Sequence, residues 1–417
     1  MSFRKVHLHR LIILGFLLSL LLGGITTLSI GDRTPNLLYS EVFLLVLVCQ
    51  YLLRMLIRDR TIIVDKPILI LLSLYFFAQI LSLLINQSDL FKGLLSIKIT
   101  ISGFFIYLIV LSWCRTERDV DWIVYNLVFL TTIMALILVY KFALGLNPSD
   151  EFVKEMIGIG LGASNYLAAF LVLFIPVSLG LVISESNRIV RALFAFCSLI
   201  MMLSLIITMS RGAALSLALA LFLILPIMLK MKEKIKYLLV LVAIMLGMYY
   251  LVPKVIPEIY IQKNIQLIEY RINNPDINRI NVMMLALEDF CENPFIGIGP
   301  YQSYAQTSRY ENMPHNFVLQ TFAELGLLGG IPFNLILIIF VIRSYRICIY
   351  PMNNIEWRRK NIYFFAGILG TLFHGLIEIT FQGPQYTMIF WIFMTVIYLK
   401  YRSLKRNINS QSLVHAV

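Results

Sequence analysis

ENPFIGIGPYQSYAQTSRYENMPHNF, residues 292–317, is the stretch on which the reading of this chain turns. It closes a polar interlude that opens near Leu251, and it runs directly into the apolar segment 317–342. Long apolar runs stand on both sides. The chain is 59% hydrophobic and 14% charged, with a mean hydropathy of +0.83, a balance that no soluble domain of this length keeps off its surface. A lipid bilayer is therefore part of its solvent. The formal charge of +12 does not indicate nucleic acid, because lysines and arginines come in short clusters between apolar runs, as they do where they set membrane orientation.

Working outward, candidate spans of suitable length fall at 11–30, 37–57, 68–85, 94–113, 120–143, 165–184, 189–208, 212–229, 236–252, 317–342, 362–380 and 384–400. The first follows a basic stretch but is long and lacks an Ala-x-Ala type cleavage site, so it reads as an uncleaved span. Twelve spans put both termini on one side. The stretch 144–163 leaves room for a re-entrant piece. The N-terminal tail and alternate loops carry most of the basic residues, among them Arg10, Arg58, Arg118, Arg191, Lys234, Arg346, Arg359 and Lys405. That excess predicts cytoplasmic termini and an outward-facing 251–316 stretch. The expected organisation is a membrane bundle over 1–252, an extracytoplasmic loop with short helices over 253–316, a second membrane part over 317–401, and a solvated tail over 402–417. No pair of the five cysteines is placed for an extracytoplasmic disulfide.

Polar groups inside the spans narrow the search, since ionisable residues there are costly and face a bundle interior or cavity. Lys98, Arg211, Glu324, His374 and Glu378 cluster near the predicted outer ends, with Glu41 a weaker member. His374 and Glu378, four apart, are expected on one helical face. Arg211 sits in a very tight turn between spans 7 and 8, on the membrane face that normally carries least positive charge. The bland alternative is an arginine reaching lipid headgroups. Within the loop, apolar residues at Ile280, Met283, Met284, Leu287 and Phe290 recur at near-helical spacing, which predicts a helix against the bundle or the membrane surface. Arg279 opens it, Pro294 ends it, and Gly297 with Gly299 allow a close backbone turn. Arg271 is a reserve candidate.

His315, after Pro314, stands at the start of span 10, where proline is tolerated in a first helical turn. A helix N-terminus favours an anionic partner, and an imidazole there can accept a hydroxyl proton. Asn316 beside it joins the substrate-binding candidates. Glu324, about 13 Å further along the helix axis, is too deep to touch His315. It reads first as an anchor through an arginine or a polar pair. No Cys/His spacing suits zinc and no Asp-rich outer motif suits Mg²⁺, so neither metal nor cofactor is expected, and any diphosphate must be met by arginines.

Three pieces together resemble the family of O-antigen ligases and bacterial polysaccharide polymerases. They are Thr208-Met209-Ser210-Arg211-Gly212-Ala213, then Asn278-Arg279 with Asn293-Pro294-Phe295-Ile296-Gly297-Ile298-Gly299, and Pro314-His315-Asn316 followed by Gln320, Ala323-Glu324, Gly326 and Gly329. The likeness is strongest over 200–335. It implies an all-α polytopic bundle of GT-C-like glycosyltransferase architecture, with the large loop between spans 9 and 10. It further implies inverting, metal-independent glycosyl transfer at the outer face of the bacterial cytoplasmic membrane, from a glycan on undecaprenyl diphosphate to a glycan hydroxyl. Carried residue by residue, Arg211 and Arg279 match the arginines that meet the diphosphate, and His315 the essential histidine, as proton acceptor or diphosphate ligand. The substrate-binding set adds Asn316, Glu324, Lys98, His374 and Glu378.

Within 251–316 carboxylates outnumber lysine plus arginine, whereas a ligase acting on a phosphorylated lipid A core gains from a basic mouth. The sequence therefore leans to a polymerase of lipid-linked repeats, with a chain-length regulator as a further partner. Ligation of finished glycan onto a lipid A core, wall or protein acceptor is the alternative. A transporter of polysaccharide or lipid-linked sugar is the non-enzyme rival, but it predicts charges at the midplane and two related halves, and neither is visible.

Overall fold

Helices occupy each of the twelve apolar stretches in the computed structural model. It describes residues 3–21, 24–27, 36–57, 65–86, 89–114, 116–144, 164–208, 210–255, 277–303, 314–350, 355–378, 380–381 and 383–414, with positions 258, 262 and 266. In chain order they are α1 (Phe3–Ser19), α2 (Tyr39–Ile57), α3 (Lys66–Ile85), α4 (Leu90–Trp113), α5 (Glu117–Ala143), α6 (Ser164–Ser184) and α7 (Arg188–Thr208). There follow α8 (Arg211–Met228), α9 (Met231–Val255), the loop helix α10 (Ile277–Glu292), α11 (Phe317–Ile349), α12 (Ile355–Gly375) and α13 (Pro384–Val414). Among the described residues, seven are long and apolar enough to cross a membrane: α3 to α8 and α11. The protein is an all-α, multi-pass membrane protein. Among described residues its strands are β1 (Gly24–Thr27) and β2 (Asn36–Leu38), paired antiparallel.

Some boundaries differ from expectation. The first helix starts earlier and stops at Ser19 instead of running to 30, and the β-branched stretch Ile25-Thr26-Thr27 is extended, as its side chains prefer. The predicted solvated tail from Arg402 is helical to Val414 and continues α13. Span 11 ends at Gly375, not 380. Residues 145–163, including the possible re-entrant piece, and Arg271 lie outside the described residues.

α6 is the central post. It is apolar on every side and buried over its whole spanning window, the pattern of a helix with no lipid face. Gly367 of α12 comes so close to the Leu173 carbonyl that a Cβ would collide with it. In α8 the helix widens into a π-turn at Leu219–Ile224 just before Leu225-Pro226, where proline removes one backbone donor and crowds the preceding turn.

The two ends of the bundle differ in chemistry. At one end, basic residues tie helices together: Arg10 to Asp119 at 2.9 Å, Arg359 to Glu233 at 2.9 Å, and Lys236 to the Ile183 carbonyl at 2.8 Å. There Arg343 grips Asp65 with two nitrogens, the NH2 contact at 2.9 Å, and the Tyr107 hydroxyl donates to the same carboxylate at 2.9 Å. Buried ion pairs hold only when the remaining lone pairs are also satisfied, which Tyr107 does. The other end carries the loop helix and the polar groups singled out above.

Candidate functional site

At the loop end, α11 is broken. Gly326 sits at φ 58°, ψ −157°, a conformation open to glycine. A break inside a membrane helix strands backbone groups that lipid cannot satisfy. The segment after α10 supplies the missing partners. In an unbroken helix Leu327 and Leu328 would donate to Ala323 and Glu324. Here they donate to the Pro294 and Phe295 carbonyls at 2.8 and 3.1 Å, while the Ala323 and Glu324 carbonyls accept from Ile298 and Gly299, both at 3.0 Å. The two strips of backbone exchange four hydrogen bonds. Gly297, at φ 72°, crosses Gly326 so tightly that a Cβ on either would strike the other strip's backbone. From α3, Ser82 adds a bond to the Glu324 carbonyl at 3.2 Å and Asn86 one to the Gly297 carbonyl at 2.9 Å.

This clasp uses Glu324 as its peg. The carboxylate is buried and accepts from Tyr301 N at 3.0 Å, Gln320 Nε2 at 2.9 Å and the Ser303 hydroxyl. The expected anchor is present, with neutral donors in place of an arginine. Beside it lies a cavity of about 70 Å³, bordered by Tyr75, Thr100, Gln320, Glu324 and Trp391.

The clasp holds two arms. One is α10, seated on α11 through buried Val282, Ala286 and Asp289 and a Phe290–Phe322 ring contact at 5.5 Å. Of the expected apolar face, Phe290 meets α11 while Ile280, Met284 and Leu287 are exposed. The other arm is the first part of α11, where the Asn316 side chain caps the helix by accepting from Val318 and Leu319 at 3.0 and 3.1 Å. Pro314 thus precedes the cap instead of lying in the first turn. His315 is left at φ 48°, a region that costs a non-glycine residue energy and persists where surroundings fix it.

The arms converge on Glu378. Its Oε1 accepts from Arg279 NH2 at 3.1 Å and its Oε2 lies 3.0 Å from His315 Nδ1. Because a carboxylate only accepts, that geometry assigns a hydrogen to Nδ1, and in the neutral imidazole Nε2 is then the lone-pair nitrogen. Glu378 stands just past the end of α12, its N–H bonded to the His374 carbonyl at 2.8 Å. It is therefore in a terminal turn, not on a continuous helical face with His374. A Cβ on Gly212 would lie 3.0 Å from Ile377 Cγ2 and 3.8 Å from Glu378 Cγ. The start of α8 with exposed Arg211 is consequently packed against the same turn.

His315, Arg279, Glu378 and the Arg211-Gly212 corner thus come together, from sequence positions up to 167 apart in the numbering. His374 is fully buried. Lys98 is elsewhere, paired with Glu41 at 2.7 Å between α4 and α2, and Asn316 and Glu324 have the structural partners given above. The Arg343–Asp65–Tyr107 cluster is not among the candidates read from the sequence; an Asp just before a span is the signal that points to it.

Residues 196–333 match a family model described as O-antigen ligase. The match contains Arg211, Arg279, the clasp and His315. A comparison with curated proteins gives no match.

Proposed function

We propose that this chain, a member of the O-antigen ligase superfamily through residues 196–333 and hence a membrane glycan-transfer enzyme of that general type, moves a glycan from a polyprenyl diphosphate to a sugar hydroxyl at the outer membrane face. The observation that carries the reading is the single Glu378 carboxylate joining Arg279 and His315. In this reading the acceptor oxygen attacks the anomeric carbon from the side opposite the diphosphate, and His315 Nε2 takes its proton. Glu378 steadies the imidazolium that forms, as a carboxylate behind a catalytic histidine can. Arg279 and Arg211 meet the charge that grows on the leaving diphosphate. Interactions strongest at that moment speed the step, and no metal is needed if two guanidinium groups do this work.

The full arrangement proposed is twelve spans with both termini cytoplasmic and the clasp, α10 and His315 outside. The basic end, with Arg10, Lys236, Arg343 and Arg359, supports that orientation. The matched description favours ligation of preformed glycan over the polymerisation expected from the loop's acidic balance, so ligation replaces it as the leading reading. The acidic loop keeps polymerisation as the second. The test is the length profile of lipid-linked and surface glycan in cells lacking the protein, complemented with wild type or His315→Ala. Long lipid-linked polymer that never reaches its final acceptor supports ligation; accumulation of single lipid-linked repeats supports polymerisation. Normal glycan in both the null and the variant rejects glycan transfer.

A further inference from the structure

We infer that Glu378 is a built-in counter-anion for Arg279 that the donor's diphosphate displaces, so that donor binding hands the carboxylate over to His315 alone. The inference rests on the glycan-transfer reading above and adds to it a coupling between donor occupancy and the proton-accepting histidine.

The two halves of the bridge differ in how replaceable they are. Arg279 touches Glu378 through one nitrogen at 3.1 Å, and its side chain is 36% exposed. A guanidinium has five donors in a planar fork, and a single-point contact at a partly exposed site is weak. A diphosphate offers several anionic oxygens to that fork and can take it bidentately. Glu378, by contrast, is fixed from other directions. Its backbone is tied to His374, Gly212 and Ile377 pack beside it, and its side chain is only 10% exposed. His315 is equally fixed, between Pro314 and the Asn316 cap. When Arg279 turns to phosphate, the carboxylate stays where it is.

The consequence is electrostatic. With Arg279 in place, the charge of Glu378 is shared between a cation and an imidazole. With Arg279 engaged elsewhere, the full carboxylate charge faces His315 Nδ1, which favours the imidazolium and so makes Nε2 a better proton acceptor. Glu378 is a positioning residue in this scheme and touches no substrate. Glu324 offers the control: its donors are a backbone N–H, an amide and a hydroxyl, all on buried residues, so a diphosphate arriving from outside does not reach them.

The experiment uses the full-length protein in lipid nanodiscs, with undecaprenyl diphosphate as the binding probe and a glycan-loaded donor for turnover. Glu378→Gln removes the competing charge. It is expected to bind the probe about twofold to fivefold more tightly than wild type, the range that loss of one partly exposed ion-pair competitor allows. Its kcat is expected to fall at least about tenfold while KM for the donor does not rise. Glu378→Asp, too short to bridge both partners, should also bind more tightly and should recover part of kcat. A residue that only holds the fold does not give tighter binding with slower turnover. Probe binding that is unchanged or weaker in both variants, at unchanged Tm, overturns the displacement while leaving glycan transfer intact. Wild-type protein that does not bind the probe overturns both.

Discussion

Glu324 and Glu378 are both buried carboxylates at the loop end of the bundle, and their surroundings are opposite. Glu324 is held by Tyr301 N, Gln320 and Ser303, all neutral and all directed inward. Glu378 is held by Arg279 and His315, which remain 36% and 25% exposed. Fully satisfied neutral donors make a rigid joint whose removal strands buried groups. A partly exposed guanidinium and a partly exposed imidazole make a polar surface that a ligand can enter. The clasp around Glu324 thus does architecture, and through it α10 and α11 bring Arg279 and His315 to Glu378, where the proposed chemistry lies.

The comparison breaks most severely at the glycines of the clasp. Gly326→Ala puts a methyl group into the Phe295–Ile296 backbone and forces a residue with a side chain to φ 58°. We expect a loss on the order of 4 kcal/mol, read as a sharply lower Tm or no recoverable folded protein in detergent. Gly297→Ala should match it. Either variant with wild-type Tm would falsify the interlocked backbone.

At the Glu378 side the effects should fall on rate and leave the fold alone. His315→Ala, Arg279→Ala and Arg211→Ala are each expected to insert normally and to lower transfer by about a hundredfold or more, measured as product formed per folded molecule. Retained transfer in a correctly inserted His315→Ala variant removes that residue from the chemistry.

Much of this was legible before any coordinates. Apolar run lengths indicate the helices, because a membrane span must be long and apolar, and the near-helical spacing of Ile280, Met283, Met284, Leu287 and Phe290 indicates α10. Of these, Ile280, Met284 and Leu287 are exposed, and beside a bilayer an apolar side chain does not have to point at protein. Gly297 and Gly299 announced a tight turn, yet their partner at Gly326 was hidden. A backbone exchange between 293–299 and 323–328 leaves no side-chain pattern to read. The pair His374 and Glu378 drew notice as charged residues in a span, but that Glu378 reaches back across 63 residues to His315 and 99 to Arg279 is a fact of tertiary packing alone. The same holds for Lys98, whose charge suggested substrate and whose partner is Glu41.

Exchanging the carboxylate for an amide separates the two sites more finely. Glu324→Gln keeps size but turns an amide donor toward other donors, so we expect a loss of about 2 kcal/mol with transfer per folded molecule within about twofold of wild type. Glu378→Gln should do the reverse, sparing Tm and changing kinetics. If Glu324→Gln lowers specific activity while leaving Tm untouched, the division of labour between the two carboxylates is wrong.

The smallest effect is expected from Lys98, which polar placement alone put among the substrate-binding residues. Its partner Glu41 is only 9% exposed, so removing Lys98 by itself leaves a buried charge and confuses stability with function. The informative variant is Lys98→Met with Glu41→Gln, which removes both charges together. Replacing both partners of such a pair is close to neutral, so stability should move by about 1 kcal/mol or less. Among the described residues, α2, which carries Glu41, packs chiefly on α1 and α4. Transfer by the double variant should therefore stay within about twofold of wild type, against the hundredfold loss at His315. A loss approaching the His315 value would extend the substrate path across α4 to α2 and place a second charged cluster in the reaction.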